Sequence, residues 1–188
     1  MPLTKIQSLG ITDGTIVNAD INASAAIAGT KLSGAGKVLQ VVSTHKTDDF
    51  TTASGSFTDV TGLSASITPS SASNKILVMF SITASNTSAT LGTHIRLMRG
   101  STEIAPARSV ANYESSWLVF FGDTNLSNQK SFEFLDSPST TSATTYKIQI
   151  KPQNGTSVVN RSGSDAASQE YSHKSSSTIT VMEIAVWL

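Results

Sequence analysis

The chain has 188 residues, 13 Lys and Arg against 13 Asp and Glu, and a formal net charge of zero. Charged residues make up only 14% of it, whereas 31 serines and 24 threonines are present. Lys and Arg are scattered singly, which argues against nucleic acid as a partner. The absence of cysteine excludes disulfides and thiolate metal sites. No apolar run has the length of a signal peptide or a membrane span, so membrane insertion is not expected.

Residues 1–36 carry a pattern of their own. Large apolar side chains recur every five residues, with a single extra residue inserted before the last two: Ile6, Ile11, Ile16, Ile21, then Ile27 and Leu32. This period fits neither a helix nor a strand, and is typical of a chain that takes a short extended step, turns and repeats. Burial of so few apolar atoms cannot offset the conformational entropy that the segment would lose on becoming ordered by itself. We therefore predict an extended stem that assembles on another surface, the alternative being a disordered tail.

A small, flexible joint at residues 33–36 separates this stem from a region of different character. From residue 37 to residue 188, short apolar or alternating runs are separated by loops rich in Ser, Thr, Gly and Asn. Evenly spaced strands with turn signals and no amphipathic helix predict an all-β, antiparallel jelly-roll or β-sandwich head. We expect the first and last strands of this head to pair centrally in one sheet.

The strands are predicted from these runs in chain order: Val38–Thr44, Leu63–Ile67, Lys75–Ser85, His94–Arg99, Glu103–Ala107, Trp117–Phe121, Phe132–Phe134, Tyr146–Lys151 and Ile179–Trp187. The strongest is Lys75–Ser85, in which Leu77 and Met79 lie opposite the main apolar face. Both faces of this strand are therefore predicted to be covered in part.

Two parts of the sequence carry a resemblance to known proteins. The stretch GITDGTIVNADINASAAIAGTKL, residues 10–32, resembles shaft or anchoring segments in tail-fibre and appendage proteins of tailed bacteriophages, especially those of marine cyanobacteria. KILVMFSI at residues 75–82 and STITVMEI at residues 177–184 are similar to the jelly-roll heads of phage fibres, themselves similar to the trimeric tumour-necrosis-factor and complement heads. The resemblance implies a short trimeric appendage of a virion.

No residue pattern points to catalysis, a metal or a cofactor. His45, His94 and His173 are far apart and lack the spacing of zinc ligands. There is no nucleophile elbow and no phosphate-binding loop, and nothing selects one pair among the carboxylates for glycoside hydrolysis. We therefore do not expect an enzyme.

Two oxygen-rich loops have a second interpretation. Asp48–Asp49 and the loop from Asp123 to Asn128 offer ligands that calcium accepts, although neither shows the spacing of a calcium loop. Asp, Asn and Ser also bond their own backbone in turns, which explains both loops more simply.

The aromatic residues also leave two interpretations open. Trp117, Phe120 and Phe121 with Phe132 and Phe134 could line a binding groove, but strand aromatics more often fill a sandwich core. Tyr113 and Tyr171 lie in polar segments and are the candidates for exposed recognition.

The sequence thus predicts a structural virion protein, assembled in the host cytoplasm. It would be a homotrimer, anchored to other capsid or tail proteins by the stem, with its head outward. The alternative is a module that recognises a host surface glycan or protein.

Overall fold

The computed structural model describes residues 37–106, 116–119, 124–164 and 173–186. The strands in these ranges are β1 (Val38–Lys46), β2 (Phe50–Thr52), β3 (Thr58–Ile67), β4 (Lys75–Asn86), β5 (Thr93–Arg99), β6 (Thr102–Ile104), β7 (Trp117–Val119), β8 (Asn128–Asp136), β9 (Thr144–Pro152), β10 (Ser157–Val159) and β11 (Ser177–Ile184). The described residues contain no helix, and therefore no helix that could cross a membrane. The all-β prediction is confirmed.

The strands form two antiparallel sheets. In sheet A the order is β1–β11–β4–β8; β10 continues the line of β11 beside β4, and β2 pairs with β10. In sheet B the order is β3–β9–β5, and β6 and β7 pair with the other edge of β5. If β1 is counted together with β2, β6 with β7, and β10 with β11, the eleven strands become eight. Sheet A then reads first–eighth–third–sixth and sheet B second–seventh–fourth–fifth. This double-sheet order is that of a jelly roll.

The core lies between the two sheets and follows from alternation along the strands. On β4, the side chains of Ile76, Val78 and Ile82 are fully buried, whereas Leu77 and Met79 between them are partly exposed. On β9, Ile148 and Ile150 are fully buried in the same way. Because successive strand residues point to opposite faces, the inward set forms one apolar layer and the outward set two surfaces. Those two outer surfaces differ, as described below.

Three details differ from the sequence prediction. β1 pairs with β11 as expected, but β1 lies at the edge of sheet A and only β11 is central. The three-residue strands β2 and β10 were not predicted, because their flanking residues carry turn signals. The strand predicted at Glu103–Ala107 ends at Ile104, where Ala105 has a φ of 51° that a regular strand does not allow.

Many of the hydroxyl and amide side chains are internal cross-links. Asn160 is fully buried, and its Nδ2 donates to the carbonyl oxygens of Lys46 and Asp48 at 3.0 and 2.9 Å. The Ser177 hydroxyl donates to Asn160 Oδ1 at 2.6 Å. These bonds tie the β1–β2 connection to β11, and they satisfy buried backbone groups that would otherwise be costly. The abundance of Ser and Asn therefore serves the fold as well as the loops.

Candidate assembly surface

The residues predicted to anchor the protein lie outside the described residues: Ile6, Ile11, Ile16, Ile21, Ile27 and Leu32. The same holds for the two tyrosines of the recognition hypothesis, Tyr113 and Tyr171. The stem in residues 1–36 and the division at residues 36 and 37 stay predictions. The structure instead describes the head's surfaces.

The outer face of sheet B is charged and its charges are paired. Lys147 Nζ donates to Asp59 Oδ2 at 2.6 Å, and the Arg96 Nε lies 3.3 Å from Glu103 Oε2. The Arg96 guanidinium also stands 3.7 Å above the Phe57 ring. Partial burial tends to raise the pKa of Asp59, but the bonds from Lys147 and Gln149 hold that pKa below its ordinary value. A face that carries paired charges of this kind is well suited to contact with solvent.

The outer face of sheet A is different. Register places Val41 opposite Met182, Met182 opposite Leu77, and Leu77 opposite Leu135, so four apolar side chains cross all four strands in a line. We call these four residues the apolar row. Val41 is 54% exposed and Leu135 is 53% exposed. Two further large apolar side chains at the start of β1, Val38 and Leu39, are also exposed.

The next two lines on this face are nearly free of charge. One consists of Ser43, Thr180, Met79 and Glu133, and the other of His45, Thr178, Ser81 and Ser131. A shallow depression of about 540 Å³ lies here, bordered by Met79, Ser81, Ser131, Glu133, Thr178 and Thr180 among others. Glu133 is the only carboxylate in the twelve positions of the three lines. The face therefore combines an apolar row with a hydroxyl-lined hollow.

An aromatic cleft opens between the two sheets at β7 and β8. The Trp117 ring lies 4.3 Å from Phe132 and 5.9 Å from Phe80, centroid to centroid. With Ile95, Ser116, Ser131 and Lys130 these rings border a space of about 340 Å³. Trp117, Phe132 and Phe134 pack against the core, as the core interpretation predicts, but Trp117 and Phe132 also line this cleft. Phe120 and Phe121 lie outside the described residues.

The oxygen-rich turn at Asp48–Asp49 holds cationic side chains. Lys46 Nζ donates to Asp48 Oδ2 at 2.6 Å, and this bond lowers the pKa of Asp48. Asp49 Oδ2 lies 2.7 Å from Lys174 Nζ and 3.3 Å from Arg161 Nε. These ammonium and guanidinium groups pair with one oxygen of each carboxylate and so compete with a calcium ion for the negative charge of this turn. The other oxygen-rich loop begins at Asp123, outside the described residues.

Sequence reasoning missed the apolar row because its members come from four distant segments. Each has a local signal, an apolar residue at the outward position of a strand. Only the register between strands brings Val41, Leu77, Leu135 and Met182 into one line.

Comparisons with known proteins give fold-level likenesses only. No protein-family model matches the chain, and no curated protein matches it. Among solved structures it is similar to a chain of infectious bursal disease virus, Gt strain, with a TM-score of 0.43 and 14% identity over 77% of this chain and 36% of that one. For the T13 particle of the same virus the TM-score is 0.41 and the identity 13%, over 77% and 37%. This chain therefore spans little more than a third of theirs; the jelly roll follows from the strand order itself.

Proposed function

We propose that the protein is a structural component of a tailed-phage virion: a short homotrimeric fibre or decoration protein on the tail or capsid. The observation that carries this proposal is the contrast between the two outer faces of the head. Soluble monomers rarely expose large contiguous apolar patches, whereas sheet A presents an apolar row that crosses four strands. The resemblance of residues 10–32 to phage fibre segments supports a virion as the place of assembly.

In this proposal the stem of residues 1–36 docks on other virion proteins and the head of residues 37–188 projects outward. Burying one isoleucine side chain is worth roughly 1.5 to 3 kcal/mol, so a single stem gains little after its ordering cost. Three stems attached to one head trimer sum their contributions by avidity. The protein needs no catalytic group, cofactor or nucleic acid for this role.

The stem is tested by replacing Ile11, Ile16 and Ile21 together with serine. We expect this variant to keep a folded head, shown by an unchanged melting temperature, and to lose incorporation into particles, measured by quantifying the protein in purified virions. The matched control replaces Ala19, Ala23 and Ala25 with serine, which leaves the isoleucines in place and should not change incorporation. If the isoleucine variant still enters particles in the same amount as the wild type, the docking surface must lie on the head and not on the stem.

The aromatic cleft favours a second candidate function, recognition of a host surface glycan. Trp117 and Phe132 offer ring faces on which the apolar side of a sugar can stack, and Ser116 and Ser131 bring hydroxyls to the same space. Lys130 adds a cation, which would favour an acidic sugar. The virion role and this binding role are compatible in one molecule.

This second function is tested on a glycan array with the intact protein. We expect binding to an acidic glycan that weakens at least tenfold in Trp117→Ala and in Lys130→Gln, the second change being at an exposed side chain. Phe57→Ala, an aromatic residue on the outer face of sheet B, serves as the control and should bind normally. A wild-type protein that binds no glycan would contradict this function and leave the structural role standing.

A further inference from the structure

We infer that the outer face of sheet A, centred on the apolar row, is covered by other copies of this same chain. This inference rests on the homotrimer of the proposed function and assigns its interface. The row runs across β1, β11, β4 and β8 without a charged side chain. Single exposed apolar side chains are common on soluble proteins, whereas a contiguous row of them across four strands marks an interaction site.

The charge pattern points to a second copy rather than to an unrelated polar partner. In the three lines of the sheet A face Glu133 is the only carboxylate and no Lys or Arg is present. Such a face is matched best by a surface that is equally free of charge, because buried unpaired charges are costly. Among the described residues the outer face of sheet B does not meet this condition, since it carries Arg96, Lys147 and Lys151. The sheet A face of another copy does, and around a three-fold axis one part of this face on each copy meets a different part of the same face on the next copy.

The edge of sheet A supports the same conclusion. Residues 38–45 of β1 contain no Lys, Arg, Asp or Glu, and in the described part of the chain β1 pairs with β11 alone. Proteins usually protect an open edge with charges, as β8 does with Lys130 and Glu133 at the opposite side of this sheet. The unprotected edge, which carries exposed Val38 and Val41, is therefore the side expected to be covered on assembly.

The relief and size of the face also suit self-association. The apolar row adjoins the depression of about 540 Å³, so the face offers both projecting side chains and a hollow to receive them. Four strands spaced about 4.8 Å apart, over seven residues each, cover roughly 450 Å² before side-chain relief is added. This is of the same order as the roughly 800 Å² of accessible surface that each partner contributes to a stable interface.

The test compares two leucines that are equally exposed. Leu135, in the apolar row, and Leu126, in the loop before β8, are both 53% exposed. Sedimentation equilibrium of the full chain should show a trimer for the wild type and for Leu126→Lys. For Leu135→Lys combined with Val41→Lys we expect at least a hundredfold weaker association. Should that double variant fail to fold, the milder Leu135→Ser should still weaken association at least tenfold.

The outcomes separate this inference from the proposed function. A lysine double variant that remains a trimer overturns the interface, even if the protein is found in particles. The interface is also overturned if the trimer is lost when only Ile11, Ile16 and Ile21 are changed, while Leu135→Lys has no effect. In that case the stem would hold the copies together. A wild-type dimer that Leu135→Lys dissociates supports the interface and overturns the trimer. A protein that trimerises through Leu135 but never enters particles contradicts the virion role alone.

Discussion

Replacing Asp136 with alanine should lower the free energy of unfolding by about 3–5 kcal/mol, the range for breaking a buried ion pair from one side. Asp136 ends β8 in sheet A and is 5% exposed. Its carboxylate accepts the Tyr146 hydroxyl at 2.7 Å and bonds from Arg99 Nη1 at 2.8 and 2.9 Å. Tyr146 and Arg99 both belong to sheet B, so this one carboxylate joins the two sheets.

The loss is large because both partners are left without their acceptor. Burial raises the pKa of Tyr146 well above its ordinary value, and the neighbouring Asp136 carboxylate raises it further, so the phenol stays a hydrogen-bond donor at every relevant pH. In Asp136→Ala that donor is fully buried and unpaired, and Arg99 keeps a partly buried charge. A buried donor without an acceptor pays its full desolvation cost.

Denaturant unfolding at pH 7 and at one protein concentration measures this effect. The control is Asp59→Ala, which removes a carboxylate paired with Lys147 at 2.6 Å on the outer face of sheet B. Since that carboxylate is 49% exposed, we expect a loss below about 1 kcal/mol. Equal losses in the two variants would show that Asp136 does not join the sheets.

The sequence predicts well what depends on local alternation. The strand at Tyr146–Lys151 lies within β9, and its alternating residues Ile148 and Ile150 point into the core. The outward positions of Leu77 and Met79 are also confirmed. The jelly-roll class follows from the number and spacing of such strands, because few folds bury many short amphipathic strands.

What the sequence could not predict depends on contacts between distant segments. Ser157 lies in a stretch rich in turn-forming residues, yet it is fully buried, and its hydroxyl shares a 2.8 Å hydrogen bond with that of Thr93. No local pattern distinguishes a hydroxyl of this kind from one in a surface turn. The candidate assembly surface was missed for the same reason. An outward Leu or Val is unremarkable by itself, and only the strand register lines four of them up.

The last prediction concerns Glu183, a fully buried carboxylate on β11. Ser70 N, Ser70 Oγ and Asn74 Nδ2 donate to its Oε1 at 2.7, 2.7 and 2.6 Å, and Gln40 Nε2 donates to its Oε2 at 2.6 Å. These bonds fasten the β3–β4 connection and β1 to the central strand of sheet A. Burial tends to raise the pKa of Glu183, but the bonds from Gln40, Asn74 and Ser70 outweigh it and lower the pKa to about 2.

Glu183→Gln should therefore lower stability at neutral pH and flatten its dependence on acid. The folded pKa of Glu183, about 2, lies below the ordinary value of 4.5, so the carboxylate stabilises the fold fully above pH 4.5 and loses this effect as the pH falls towards 2. We expect a loss on the order of 2 kcal/mol at pH 7, since an amide group turned towards four donors cannot accept all of them. The free energies of unfolding of Glu183→Gln and the wild type should converge as the pH approaches 2.

Denaturant unfolding between pH 7 and pH 2 measures both effects, with Glu133→Gln at an exposed position of β8 as the control. A constant difference between Glu183→Gln and wild type across that range would mean that the side chain acts by packing and not by its charge.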